Sequence, residues 1–420
     1  MNAQPSEHPG SQDSDAPNSR SWGERGLTRV PFWVYTDEAT FEQEMKKVFE
    51  GPSWNFVALA AELPEPRMVK SAWIGRTPVL VTRDVNGEFH VVENRCAHRG
   101  AQLCHTPFTK TNNIECPYHK WTYDLSGKLI GIPMRKGVAG AGGLDPDFDP
   151  LQHGLKRLKV HERHGAIFAS FDPEVEPFET YMGTKMLGYF DRVFDGRALT
   201  VLGDMHQRIP ANWKLMVENI KDPYHAATLH VFLVTFGLFR ADNPSATEMD
   251  DTGRHSVLVN ERRPPTDNEA SGTSYRPDLE LKGPQLLDVV REFPGKATLV
   301  MQTIWPSLIV QQQSNTVAVR TIVPRGPAEF DLHWTFFGYE SDDEAMTQRR
   351  LMQANLMGPS GYVSLDDGEV LDLLQRGVTS RPDSEAVMEM GGSGTDDADH
   401  AVTEVAVRAF YSHYRKVMGL

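Results

Sequence analysis

A chain of 420 residues is long enough for two or three domains with sizeable cores. A hydrophobic content of 40% with 24% charged residues is ordinary for a globular enzyme, and a net charge of −14 argues against nucleic acid or an anionic membrane as partner. A mean hydropathy of −0.43, with no apolar run of membrane-spanning length, argues against an integral membrane protein.

Residues 1–26 are rich in Pro, Ser, Asp, Asn and Gly and lack the apolar core of a signal peptide, so they are expected to form a disordered tail on a cytoplasmic protein. Arg29, Val30, Pro31 and Phe32 then lead into a helix from Asp37 to about Glu50, on which Phe41, Met45, Val48 and Phe49 recur at helical spacing. From about residue 53 to 165 the pattern changes to short strands broken by turns: Val79–Thr82, Phe89–Val92 and Trp121–Leu125, the last followed by the Ser126–Gly127 turn. Gly137 to Gly143 is a glycine-rich connection, and the apolar run Ala166–Phe171 opens a different region. Beyond it, helical patterns at Asp342–Met357 and Asp399–Met418, with Gly419 as a C-cap, alternate with strand-like Ser307–Val323 and Phe330–Tyr339. The fold class is α+β: a β-rich insert at 53–165, within a helix-and-sheet domain made of 27–52 and 166–420.

The β-rich insert contains Cys96-Ala97-His98 and Cys116-Pro117-Tyr118-His119. With only three Cys in the chain, an all-thiolate iron–sulfur site is ruled out, whereas two thiolates with two imidazoles make the ligand set of a [2Fe–2S] centre with mixed ligation. The alternative is a structural Cys2His2 zinc site, for which Cys-x-His is an awkward first half. Cys104 is left over as a small packing residue.

A second constellation lies in the stretch from Asn212 to His230, where Asp222, His225 and His230 place a carboxylate and two imidazoles close together. Residues five apart do not share a helix face, and Pro223 cannot donate in a helix interior, so the chain must kink or unwind here. Two His and one carboxylate form the facial triad of non-haem Fe(II) oxygenases, and the carboxylate is expected from the Asp366-Asp367-Gly368 segment.

These motifs together resemble the large (α) subunit of Rieske non-haem iron aromatic-ring-hydroxylating oxygenases, a resemblance covering the chain from about Val30. Within that family the chain is most similar to the enzymes of aromatic acids: salicylate 5-hydroxylase, anthranilate 1,2-dioxygenase and terephthalate dioxygenase. The narrower match rests on residues 29–36 (RVPFWVYT), 218–225 (ENIKDPYH) and 357–369 (MGPSGYVSLDDGE). It implies a Rieske domain inserted into a helix-grip-like catalytic domain. It further implies that Cys96 and Cys116 hold one cluster iron and His98 and His119 the other, with His225, His230 and Asp367 on the mononuclear iron. Asp367 is preferred to Asp366 because the family's ligand aligns with the second acid. Asp222 would be the carboxylate bridging a cluster histidine of one subunit and an iron histidine of its neighbour, with Asn219 near the iron. One departure is Lys120, where many relatives carry Gly or another small or polar residue.

The resemblance also implies O2 and an aromatic carboxylic acid as substrates, giving a cis-diol or a phenol. Electrons would come from NAD(P)H through a separate ferredoxin or reductase, and the assembly would be α3β3 with a small β subunit, or an α3 trimer. No dinucleotide fingerprint is found in this chain, in agreement with a separate reductase. Arg320 alternates with Ala318 and Ile322 on an apolar face, so it must be paired; an ion pair with a protein acid and recognition of a substrate carboxylate are both open. Met216, Val217, Ile220, Phe232 and Phe236 are candidate pocket walls. The rivals are a Rieske monooxygenase or demethylase for another aromatic, an electron-transfer Rieske protein, and a zinc-stabilised binding protein.

Overall fold

In the computed structural model, which describes residues 20–263, 278–279 and 281–420, the architecture is dominated by antiparallel sheets. A four-stranded sheet runs in the order Phe89–Glu93, Thr77–Arg83, Met68–Ile74 and Phe108–Lys110, and a small three-stranded sheet is formed by Ile114–Glu115, Thr122–Tyr123 and Leu129–Gly131. Between them lies a separate apolar cluster, with Val69, Leu80, Leu103, Trp121, Tyr123 and Leu129 packed around the side chains of Cys96 and Cys116. The cysteine loops therefore hang from a small core of their own.

The second part is a seven-stranded sheet ordered Leu199–Ile209, Glu329–Tyr339, Thr316–Gly326, Leu308–Gln313, Leu299–Ile304, Ser256–Asn260 and Ser245–Met249. Helices Phe178–Val193, Trp213–Lys221, Glu344–Met357 and Val405–Met418 pack against it, and Tyr362–Ser380 lies beside Trp213–Lys221. The strands Leu299–Ile304 and Leu308–Gln313 are buried along their whole length, as expected for the middle of a sheet covered on both faces.

Several elements differ from the pattern in the sequence. The strand Ala166–Ser170 does not leave the β insert; it pairs with Asn55–Leu59 and Lys159–Arg163 in a third sheet. Of the expected tail, residues 1–19 lie outside the described residues, but residues 20–26 are anchored. Trp22 is buried edge-on to Trp33 at 6.5 Å and against Tyr411 at 5.4 Å, and Arg20 pairs with Asp37 at 3.2 Å. The C-terminal helix starts at Val405, not Asp399, because Thr403 Oγ1 accepts from Val405 N and Glu404 turns its carboxylate back to Met390 N. The Asp366-Asp367-Gly368 segment lies in the interior of the helix Tyr362–Ser380. No helix among the described residues is long and apolar enough to cross a membrane.

Candidate iron centres and the cavity between helix and sheet

The two cysteine loops are built alike. Cys96 N donates to Ala101 O and Gly100 N to Cys96 O; Cys116 N donates to Trp121 O and Lys120 N to Cys116 O. Each loop turns through a residue of positive φ, Gly100 at 75° and Lys120 at 59°. Lys120 thus occupies the place of a glycine, and its ammonium reaches Glu115 at 3.0 Å. The loops bring the His98 and His119 rings to 4.6 Å, with His98 stacked on Trp121 at 4.8 Å.

Both thiols are buried and neither is in a disulfide. Tyr123 OH lies 3.3 Å from Cys96 Sγ and accepts from Ala97 N, a hydrogen bond at the sulfur of the kind that tunes a cluster's potential. His119 Nδ1 is buried without a hydrogen-bond partner among the described residues. An orphaned imidazole nitrogen beside two thiols outside any disulfide suits metal ligation.

The second constellation forms as the kink requires. The helix Trp213–Lys221 ends at Asp222, whose extended backbone and side-chain bond to Tyr224 N start a one-turn helix at Pro223. His230 is again non-helical, ahead of Val231–Thr235. His225, His230 and Asp367 come together with one ligand atom from each within 4.8 Å of the others. Asp367 Oδ1 is 3.6 Å from His225 Nε2 and 3.4 Å from His230 Nε2. Asn219 Nδ2 donates to the same oxygen at 3.1 Å.

The outer nitrogens are tied up. His225 Nδ1 is 2.5 Å from the Asp222 carbonyl, which can only accept, so Nδ1 carries a proton and Nε2 is the nitrogen turned to Asp367. His230 Nδ1 is 3.4 Å from Asp366 Oδ2. Burial alone would lower His225, but Asp222 and Asp367 raise it to about 10; burial would raise Asp367, and the two imidazoles hold it below the usual carboxylate range. The cluster is built to accept positive charge, and its donor set is that of a mononuclear iron site.

The cluster opens on a small cavity of about 60 Å³. Its apolar walls include Ile220, Leu233, Phe239, Leu258, Leu299 and Met301. Of the five walls expected from the sequence only Ile220 lines it: Met216 and Val217 are in the main core, and Phe232 stacks on Tyr362. Arg320 lines the cavity too, buried, with its guanidinium over Trp334 at 4.0 Å and Nε donating to Gln311 Oε1 at 2.8 Å. Burial pushes it down to about 9, with Asp367 opposing. It forms no ion pair with an acid among the described residues, so of the two readings left open by the sequence a protein partner is not found among them.

The sequence missed Asp366 as the partner of His230 and Tyr123 as the partner of Cys96. Both stand inside motifs already singled out, and neither spacing nor composition distinguishes a ligand from its hydrogen-bonding neighbour.

A thiolate–imidazole pair of loops in one β domain and a two-histidine, one-carboxylate cluster in a helix-on-sheet domain define a non-haem iron oxygenase with two redox centres. Residues 53–141 match the Rieske [2Fe–2S] domain and residues 196–420 the ring-hydroxylating alpha subunit (catalytic domain). The chain belongs to the family of Rieske non-haem iron ring-hydroxylating oxygenases, as an α subunit. It is 48% identical to the large oxygenase component of salicylate 5-hydroxylase from Ralstonia sp, covering 96% of this chain and 97% of that one. It is 39% identical to the large subunit of anthranilate 1,2-dioxygenase from Burkholderia cepacia, covering 93% and 94%. The crystal structure of naphthalene 1,2-dioxygenase from Rhodococcus sp. bound to indole has the same fold, with a TM-score of 0.76 at 23% identity over 93% of this chain and 94% of that one. The cofactors of this class are a Rieske [2Fe–2S] cluster and a mononuclear non-haem iron, and the class works as a terminal oxygenase fed by separate electron-transfer proteins.

Proposed function

We propose that the chain is the large subunit of an oxygenase that hydroxylates an aromatic carboxylic acid, with electrons from NAD(P)H delivered by a separate ferredoxin or reductase. The observation that carries the substrate class is Arg320: a buried guanidinium on the cavity wall, held by an amide and an indole face and matched by no protein carboxylate among the described residues. A buried charge needs a counter-charge, and a substrate carboxylate supplies one. The relatives named for salicylate and anthranilate act on acids of this kind.

In this reading Cys96 and Cys116 hold one iron of the cluster, His98 and His119 the other, and His225, His230 and Asp367 hold the mononuclear iron. The two groups, when bound, supply stored electrons and a place to activate O2. The chain does the rest. Arg320 fixes the acid at one end of the cavity, so the ring lies toward His225 and His230, and the apolar walls keep water from the ring. Asn219 orients Asp367, and Asp366 and the Asp222 carbonyl fix the tautomers of the two imidazoles.

Asp222 is partly exposed, caps the next helix with Oδ1 and holds Oδ2 3.7 Å from His225 Nδ1, and in this reading its carboxylate bridges that imidazole to a cluster imidazole of a neighbouring subunit. The relatives are named as large subunits or large components. By the same logic this chain pairs with a small β subunit, in an α3β3 assembly.

The test is turnover of the holoenzyme, with Fe(II) and a ferredoxin–reductase pair, on salicylate, anthranilate, benzoate and terephthalate, after a Rieske visible and EPR spectrum has been recorded. Acid-dependent O2 uptake with a hydroxylated product supports the reading. A Rieske spectrum without turnover on any acid overturns the substrate class, and a colourless zinc protein overturns the cofactor assignment.

A further inference from the structure

We infer that Gln313 reads the ring position next to the substrate's carboxylate, as a hydrogen-bond donor that selects a 2-hydroxybenzoate over a 2-aminobenzoate. The inference rests on the reading of the cavity as the aromatic-acid site and narrows it.

Gln311 and Gln313 alternate on the face of strand Leu308–Gln313 that also carries Arg320's partner position Ile309, so all three polar side chains share one face of the sheet. A guanidinium can only donate, so Gln311 must turn its oxygen toward Arg320, and both Nε and Nη2 of Arg320 bond to that Oε1. The Gln311 amide nitrogen then faces the other way and donates to Gln313 Oε1 at 2.9 Å. Gln313 therefore has its oxygen occupied and its amide N–H groups left over. It lines the cavity, and its Nε2 makes no hydrogen bond to another described residue; nor does Nη1 of Arg320.

The charge of Arg320 thus fixes the orientation of an amide two side chains away. Apart from the cluster of Asn219, Asp222, His225, His230 and Asp367, the polar groups lining the cavity are Arg320, which only donates, and Gln313, whose oxygen already accepts from Gln311 and whose amide N–H groups have no partner among the described residues. A 2-hydroxybenzoate satisfies such a wall. Its phenol turns the O–H toward its own carboxylate, which leaves the phenol oxygen as an outward acceptor. A 2-aminobenzoate offers N–H donors at that position, and its nitrogen lone pair is delocalised into the ring. Donor would face donor, with the buried amide unpaired.

The experiment is equilibrium binding of benzoate, 2-hydroxybenzoate and 2-aminobenzoate to anaerobic holoenzyme by calorimetry, with the Rieske EPR spectrum as the check on folding. The wild-type protein should bind 2-hydroxybenzoate more tightly than 2-aminobenzoate. Gln313→Leu should weaken 2-hydroxybenzoate about 3- to 10-fold and leave benzoate within about twofold. Gln311→Glu should invert the order of the two substituted acids. The new carboxylate only accepts, so Gln313 must turn its N–H groups to it and its oxygen to the cavity.

Tighter wild-type binding of 2-aminobenzoate overturns the inference outright. So does a ratio of the two acids that is the same in wild type, Gln313→Leu and Gln311→Glu. If the Leu variant fails to fold, the wild-type order and Gln311→Glu still decide. Failure of the underlying reading has another signature: no acid binds, or Arg320→Met binds all three as wild type does.

Discussion

Asp366 and Asp367 are neighbours in sequence yet address opposite nitrogens of one imidazole: Asp366 Oδ2 is 3.4 Å from His230 Nδ1, and Asp367 Oδ1 is 3.4 Å from His230 Nε2. Their burial follows this division, with the Asp367 side chain almost fully enclosed and that of Asp366 about one-third exposed. In the proposed site one acid would be the ligand and the other the group that orients the ring.

The two aspartates should therefore fail differently. Asp367→Asn is expected to abolish iron retention at the mononuclear site, while Asp366→Asn weakens it by roughly 10- to 100-fold, the usual cost of losing a ligand's hydrogen-bond partner. Iron content after desalting, measured against the amplitude of the Rieske EPR signal, separates the outcomes. Equal losses in both variants would remove the distinction between ligand and partner.

Arg320 makes a prediction in which function and stability move apart. Arg320→Met should raise the KM for aromatic acids by an amount equivalent to about 2–5 kcal/mol, because a charge-paired contact in a buried cavity is lost. The thermal midpoint should stay level or rise, since a buried guanidinium without a protein acid is replaced by an apolar side chain that fits over Trp334. A fall in the midpoint with no change in KM would assign Arg320 to the core alone.

At Lys120 the backbone conformation is the point. A non-glycine residue in the left-handed region costs roughly 1 kcal/mol, partly offset here by a weak surface pair with Glu115. Lys120→Gly should raise the unfolding midpoint of the cluster domain slightly and leave the visible spectrum unchanged. Gly100→Lys, at the matching place in the other loop, should lower it.

How much of this could be read from the chain depended on the range of the signal. Cys96, His98, Cys116 and His119 fall within two short loops, and Pro223 forces the break that brings His225 and His230 together. Strand alternation alone put Arg320 on an apolar face. The helix around Gly368 was not legible: the acids and glycine lower helix propensity, but the helix passes so close to Gln207 that a Cβ at Gly368 would lie 2.6 Å from its amide nitrogen. The cavity walls Leu233, Phe239, Leu258 and Leu299 come from separate elements, so no local pattern marks them. The amide relay from Arg320 through Gln311 to Gln313 was hidden because a run of glutamines gives no sign of which amide faces which partner.

Two titratable groups on the helix Trp213–Lys221, one partly and one fully buried, predict the pH dependence of stability. Burial pushes Glu218 up to about 7, against the hydrogen bonds it accepts from Tyr35 and Tyr411, and pushes Lys221 down to about 7, where Ser256 and Thr303 hydroxyls are its hydrogen-bond partners. An acid whose folded pKa is raised binds its proton more tightly when folded, so stability falls as pH rises from the ordinary carboxylate range to about 7. An amine whose folded pKa is lowered loses its proton more readily when folded, so stability recovers as pH rises from about 7 toward the ordinary lysine range. At most Glu218 accounts for a change of about 3 kcal/mol and Lys221 for one of about 5 kcal/mol, and the two together place a minimum of stability near neutrality. Glu218→Gln keeps an acceptor for the two tyrosines but removes the titration. It should flatten the decline below pH 7 and leave the rise above it intact, as read from thermal midpoints across the pH range. A wild-type midpoint that rises steadily from pH 5 to 7 would contradict the assignment of Glu218.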